Sequence, residues 1–303
     1  MSMLVRVSKM SFKSLAQKSL DGLGSLLLKG SVGAVRGGVH VAPVLHVESL
    51  DDDRHFNQVV DYAEHYKHVA GIGVLATVMT PLSPMVLRRL EAKKFDPSEY
   101  LRRIRRLGEC AEIGLHSHFV RKFEGSSVWP MHAAYFDQNE TAAQLRMETD
   151  WLEQNGFFSE AVRVYSGGWW FSNHQIRSQL KEIGYSFDFT LSTNHFNATP
   201  FACRYKSDLL QGRPVYTEDG LVSFNALCSI AQKGRPAATL NRLARAAEGK
   251  NSPVFTLYSH DYDLNLVDAK ACTRMLAEAG AKFVGSRLLE GIAARATGAV
   301  REP

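Results

Sequence analysis

The sequence predicts an α/β fold built on a parallel sheet, closed as a barrel or left open and doubly wound, and three observations carry the prediction. Apolar, β-branched runs alternate with segments of helical period along most of the 303 residues, the pattern of repeated βαβ units. Three of these runs end in groups that bind metal or move protons: Leu45-His46-Val47-Glu48, Gly114-Leu115-His116-Ser117-His118 and Thr256-Leu257-Tyr258-Ser259-His260-Asp261. Side chains two apart on a strand share a face, so His46 goes with Glu48, His116 with His118 and Tyr258 with His260. In a parallel α/β structure the carboxyl ends of the strands converge on one face, where a carboxylate and three or four imidazoles would meet.

The elements follow in order. Val39 to Glu48 is the first strand. Phe56, Val59, Val60 and Ala63 recur at helical spacing within Arg54 to Lys67, and Gly71 to Thr80 returns as a buried strand, completing a βαβ unit. Helices over Ser83 to Lys93 and Pro97 to Leu107 lead to the strand Ala111 to Phe119. Thr141-Ala-Ala-Gln144 has the form of a capping box opening a helix toward Glu153, and Ser172-Asn-His-Gln175 repeats that form before the face Ile176, Leu180 and Ile183, which Gly184 closes. Further strands are expected over Ala161 to Ser166, Tyr185 to Leu191, Leu221 to Leu227 and Pro253 to His260, with helices from Ala237 to Glu248 and Leu266 to Ala279. Two long segments of weak period, Arg121 to Phe136 and Ser192 to Gly220, are expected to shape a substrate cleft.

Composition bounds the function. With 45% hydrophobic residues the chain can bury one large core, and one domain of ~250 residues plus an extension fits best. The net charge of +5 is small and partly gathered in the first forty residues. No zinc finger, aromatic RNA-binding motif or dense basic helix accompanies it, so nucleic acid is not an expected partner. Cys110, Cys203, Cys228 and Cys272 form no CxxC pair and read as free thiols of a reducing compartment. Residues 1–38 form a basic amphipathic extension: charged residues interrupt its apolar ones, so neither a secretory core nor a membrane span is expected. A cytoplasmic protein follows, and the extension either touches the inner face of an anionic membrane or packs on the domain of residues 39–303.

The string Glu112-Ile-Gly-Leu-His-Ser-His118, the segment Tyr165-Ser-Gly-Gly-Trp-Trp170 followed by Leu180-Lys-Glu-Ile-Gly-Tyr185 and Asp188, and the late Leu257-Tyr-Ser-His-Asp261 resemble successive motifs of the polysaccharide deacetylase family, the NodB-like enzymes or carbohydrate esterase family 4. The resemblance spans about Val39 to Ala294 and is nearest to the branch acting in surface polysaccharide or O-antigen biosynthesis. It implies a distorted (β/α) barrel that binds one divalent ion, zinc foremost, and removes N-acetyl or N-formyl groups from amino sugars; the cytoplasmic, basic character of the chain adds a nucleotide-linked or lipid-linked substrate to the expectation. His116 and His118 match the family's histidine motif, and Glu48 falls where its first acidic motif belongs. Two departures stand out: His46-Val-Glu48-Ser49 replaces the usual aspartate pair, and Tyr165 stands where related sequences often have arginine. The first leaves open whether Glu48 is a ligand or the general base, and whether the Asp51-Asp52-Asp53 run, Asp52 foremost, supplies the other role.

The chemistry holds without the family. Hydrolysing an amide requires that the carbonyl be polarised, hydroxide generated and the departing nitrogen protonated. A divalent ion on two neutral imidazoles and a carboxylate does the first two and keeps positions open for water and substrate. His260, facing inward with Val254, Thr256 and Tyr258, is the expected proton-transfer group. Asp261 points to the opposite face and is expected to act from the strand end, by orienting a neighbour. Trp169, Trp170, Asp188 and Tyr258 are the expected substrate contacts, with local capping or pairing as the alternative for Asp188; adjacent tryptophans on a regular strand face opposite ways, which leaves one of the two to line a sugar-stacking wall. The competing reading is a catalytically silent relative that binds a glycan or a biosynthetic partner, favoured by the missing aspartate pair.

Overall fold

A computed structural model of the chain describes residues 38–119, 138–158, 162–192, 205–217, 220–230, 236–250 and 252–296. The extension up to residue 37 and the segment Arg121 to Phe136 lie outside the described residues. The strands are β1 (His40–Val47), β2 (Val74–Val78), β3 (Ala111–Ser117), β4 (Arg163–Gly167), β5 (Tyr185–Asp188), β6 (Val215–Tyr216), β7 (Val222–Ser223), β8 (Asn225–Ser229), β9 (Val254–His260) and β10 (Lys282–Phe283). The helices are α1 (Asp53–Ala70), α2 (Pro84–Lys93), α3 (Pro97–Gly108), α4 (Gln138–Gln154), α5 (His174–Glu182), α6 (Lys206–Leu210), α7 (Pro236–Ala247), α8 (Leu266–Glu278) and α9 (Ser286–Ala296). No described helix is long and apolar enough to cross a membrane.

All ten described strands join one sheet in the order β6-β7-β5-β4-β3-β2-β1-β9-β8, with β10 added to β1. Every pairing is parallel except β6 with β7. The sheet curls into a half-barrel. Its two arms approach beyond β5, where Ala226 N–H donates to Leu191 O (3.0 Å) and the Ser192 hydroxyl to Ala226 O (2.7 Å). Of the two arrangements that the strand and helix alternation left open, the barrel-like one, which the motif resemblance implied, is the one found.

Period-2 alternation sorts the side chains. Ala42, Val44, Leu75, Val164, Phe187, Phe189, Phe224 and Val254 fill the interior, and Leu289 and Ala293 of α9 pack with them from the strands' amino ends. The opposite face of the sheet, with Val41, Leu45, Val47, Ala76, Leu115 and Leu257, packs on the helices. Gly114 is required where β3 crosses β4, because a Cβ there would stand 2.3 Å from a Val164 methyl and 2.6 Å from its carbonyl. Register then sets the rim: His46 pairs across the ladder with His260, and His116 with Ser166.

Several local boundaries differ from expectation. The helix expected to open at Thr141 starts three residues earlier, at Gln138. The cap of α5 is Asn173, whose side chain accepts from Ile176 N–H (2.8 Å), because the Ser172 hydroxyl donates to Asp188 (3.2 Å) instead. The single strand expected over Leu221 to Leu227 splits at Phe224, as the chain leaves β5 and joins β9. The segment Ser192 to Gly220 contains α6 and β6.

Asp188, expected among the substrate contacts, is fully buried at the end of β5 and engaged within the fold. One oxygen accepts from Arg177 and Ser172, the other from the Thr190 amide (2.9 Å) and hydroxyl. Thr190 Oγ1 in turn accepts from Gly167 N–H (2.7 Å), so the pair holds the turn that follows β4. Arg177, also fully buried, donates to Ser223 and Thr217 and ties α5 to the sheet's far edge. Arg177→Met would leave a buried carboxylate without its cation, and we expect a loss of roughly 3–5 kcal/mol in urea-unfolding free energy. A loss below about 1 kcal/mol would mean that the hydroxyl and amide donors alone suffice.

Candidate metal centre

At the carboxyl ends of β1 and β3, Glu48, His116 and His118 form a buried cluster. Glu48 Oε1 lies 3.3 Å from His116 Nε2 and 3.4 Å from His118 Nε2, and the two nitrogens are 3.0 Å apart. A tetrahedral ion with ligand bonds of ~2.0–2.1 Å separates its donor atoms by ~3.3 Å, so this spacing fits one divalent ion. The chemistry of the donors fits as well. Burial holds the His116 imidazole down at about 4, neutral at neutral pH. Burial works against the Glu48 carboxylate, yet the hydrogen bonds and charge of His116 and His118 outweigh it and keep its pKa well below the carboxylate range. Both Nδ1 atoms are buried and have no hydrogen-bond partner among the described residues, and it is the facing Nε2 atoms that converge.

The backbone under Glu48 is clamped. Asp261 follows β9 and turns outward, as its place in the alternation requires, and its Oδ2 accepts from the amides of Glu48 (2.9 Å) and Ser49 (2.5 Å). Its other oxygen takes the Tyr262 amide (2.9 Å), and burial pushes the carboxyl up to about 7. From the other side Arg89 of α2 donates to Glu48 O and to Asp51. The acidic run is thereby accounted for. Asp51 pairs with Arg89 and Lys93, Asp53 with Arg103, and Asp52 caps α1 by accepting from His55 N–H (3.0 Å), a bond that lowers its pKa. The structure therefore places Asp52 in a helix cap and does not include it in the cluster.

His260 stands beside the cluster, its Nε2 3.9 Å from Glu48 Oε1 and 3.4 Å from His46 Nδ1. Its Nδ1 faces Asp263 Oδ2 at 3.3 Å, and Asp263 Oδ1 accepts the His260 amide (2.8 Å). Burial alone would lower the imidazole, but the hydrogen bond and charge of Asp263, with Glu48 and Asp261 beyond, raise it above its ordinary value. His46 is different. Burial and the neighbouring rings of His116 and His260 hold it well below the ordinary value, so it is neutral. Its Nε2 meets Ser166 Oγ at 2.9 Å and its ring stacks 4.8 Å from that of His116.

Both tryptophans reach the histidines, against the expectation that one of them would turn away. β4 ends at Gly167, and Trp169 and Trp170 sit in a left-handed turn (φ 52° and 59°) where strand alternation no longer applies. Trp169 meets His118 edge-on at 4.3 Å, and Trp170 lies 4.5 Å from Tyr258 and 5.4 Å from His46. Asp263 and Arg89 were not singled out in the sequence. Asp263 carried one signal, a second carboxylate three residues after the strand-end histidine; Arg89 carried none among the other basic residues of α2.

No family model matches the chain, and no curated protein matches it. Among solved structures the chain is similar in fold to a 4-alpha-glucanotransferase from Thermococcus litoralis, with a TM-score of 0.50 and 12% identity over 84% of this chain; the chain spans 38% of that enzyme's length. It is also similar to a protein from Mycobacterium smegmatis assigned as a polysaccharide deacetylase, with a TM-score of 0.52 and 16% identity over 85% of this chain and 91% of that one. At these identities the likeness is one of fold.

The cluster's tightness is testable at Gly168, where a Cβ would stand 2.2 Å from the His118 ring. That ring is pinned by Glu48, His116 and Trp169, so Gly168→Ala should lower Zn2+ affinity ~10-fold or more in a competition titration. Unchanged affinity in a folded variant would show that the histidine has room to move.

Proposed function

We propose that the chain is a metal-dependent hydrolase that removes an N-acyl group, acetyl or formyl, from an amino sugar. The observation that carries this reading is the convergence of Glu48, His116 and His118 beside a histidine held by a carboxylate, at the strand ends where α/β enzymes place their chemistry. The likeness of fold to an assigned polysaccharide deacetylase supports the choice of substrate class. We further assign the substrate to surface polysaccharide or O-antigen biosynthesis on the motif resemblance, and to a nucleotide-linked or lipid-linked form on the basic character of the chain. The basic amphipathic residues 1–38 support peripheral contact with the cytoplasmic face of an anionic membrane.

Glu48, His116 and His118 would hold one divalent ion, zinc foremost, which when bound polarises the amide carbonyl and acidifies water. The rest falls to the chain. Asp261 and Arg89 fix the backbone from which Glu48 projects. His260, its Nδ1 on Asp263, holds at Nε2 the proton that the departing amine needs. His46, neutral and bonded to Ser166, sets the inner limit of that proton's position without adding charge. Trp169, Trp170 and Tyr258 present aromatic surface beside the cluster, suited to a pyranose face. Asp52 and Asp188 keep structural roles in this scheme.

Amine release from N-acetyl and N-formyl amino sugars, free and nucleotide-linked, tests the reading. His116→Ala should lose metal and activity together, whereas His260→Ala should keep the metal and lose a factor of ~100 to 10,000 in turnover. Glycan binding without amine release from any metal-loaded sample would favour the silent relative. The pH profile tests the His260 pair separately. A raised imidazole serves as acid below its pKa and fails above it, so Asp263→Asn should move the alkaline limb of kcat/KM to lower pH. An unmoved limb would assign that limb to another group.

A further inference from the structure

Behind the two histidines lies a carboxyl group that the chemistry above does not use. Glu148 of α4 is fully buried, and no cation faces it among the described residues; burial pushes its pKa up to about 7. Leucine would fill that volume at less cost. Its partners give it a purpose. Oε2 lies 2.7 Å from the Ser117 hydroxyl, and Oε1 accepts from Gln144 Nε2 at 2.9 Å. Gln144, one helical turn earlier, also donates to His118 O at 3.2 Å. Both anchors therefore fall within the tripeptide His116-Ser117-His118.

That tripeptide is where the sheet stops holding its own strand. The pairing of β3 with β2 ends at Leu115 and its pairing with β4 at Ser117. The His118 carbonyl lies past the ladder, and Gln144 supplies its partner. Ser117 points away from the cluster because His116 and His118 point into it. On the cluster side His118 is pressed by Gly168 and Trp169. The strand end is held from both faces.

We propose that Glu148 is a positioning residue: through Ser117 and Gln144 it fixes the strand end that aims His116 and His118 at the ion. The proposal rests on the metal-centre reading. Either protonation state of Glu148 serves: ionised, Oε2 accepts from the Ser117 hydroxyl; protonated, it donates to Ser117 Oγ; in both, Oε1 accepts from Gln144. Glutamine reproduces the neutral form, with its amide donating to Ser117 and its oxygen accepting from Gln144. Leucine keeps the volume and removes both bonds.

The test uses the full chain, stripped of metal and titrated with Zn2+ against a chromophoric chelator, with the Co2+ d–d absorption band as a report of ligand geometry. Glu148→Leu and Ser117→Ala should each weaken Zn2+ binding ~10- to 100-fold, the range found when a hydrogen-bonded support behind a ligand is lost, and should alter the Co2+ band. Glu148→Gln should restore both to near the original values. Ser117→Ala removes only a hydroxyl and keeps the test open should the leucine variant fail to fold. Original affinity and band in Ser117→Ala, with a lower Tm alone, would make the network structural and overturn the proposal. Equal weakening in the glutamine and leucine variants would overturn it too, because the bonds rather than the charge are held responsible. Failure of the unaltered chain to bind Zn2+ would instead remove the metal-centre reading, before any variant is compared.

Discussion

A carboxylate at the end of an apolar strand has to be compensated, and the compensation of Glu48 organises the mouth of this barrel. Seven of the eight residues of β1 are buried and the strand carries no charge of its own. Left alone, the group would take up a proton. Instead two imidazoles approach within 3.4 Å, the backbone amides beneath it are tied to Asp261, and Arg89 closes on its carbonyl. The constraint is mutual, since both imidazoles are buried as well and burial favours the neutral form of His116. The cluster sets a carboxylate against two ring nitrogens, an arrangement that a cation completes.

Histidines of like sequence context take opposite electrical characters here. His46 and His260 face each other across the β1–β9 ladder, 3.4 Å apart at their nearest nitrogens. Asp263 lies on the solvent side of the pair and raises His260, while His46, enclosed by His116, Ser166 and Trp170, is held neutral. One pair of titratable rings is thus split into a group that gains a proton readily and one that refuses it, by burial and one carboxylate.

How much of this could be read in the sequence depends on which distances mattered. The His-x-His of β3 and the Glu48 position are period-2 facts, and strand alternation placed them on one face. The outward turn of Asp261 followed from the same rule. What the rule could not reach lies off the strands. Trp169 and Trp170 are adjacent, and only a left-handed turn after Gly167 brings both to the cluster. Asp188 looked available as a polar group after a strand, but its partner Arg177 sits on a helix whose polar sequence gives no sign that the arginine is buried. Asn173 and Ser172 competed for one cap, and the outcome was decided by Asp188, a residue of the following strand. Glu148 gave no signal among the polar residues of α4. Apart from the tryptophan turn, the deciding contact in each case joins residues from different elements.

The position of β1 carries a consequence for how the sheet comes to exist. On one side β1 pairs with β9 along its length; on the other, its first residues pair with β10 and its last with β2. Only β2 is near it in sequence. Until β9 and β10 are in place, most of β1 is an unpaired edge, apolar on both faces and bare along its hydrogen-bonding groups. Closing contacts over so long a loop is entropically slow to begin. Cleavage between α7 and β9 would cut the covalent tether of that pairing, and loss of the piece beyond the cut would bare β1 as an adhesive edge and expose the interior that α9 covers.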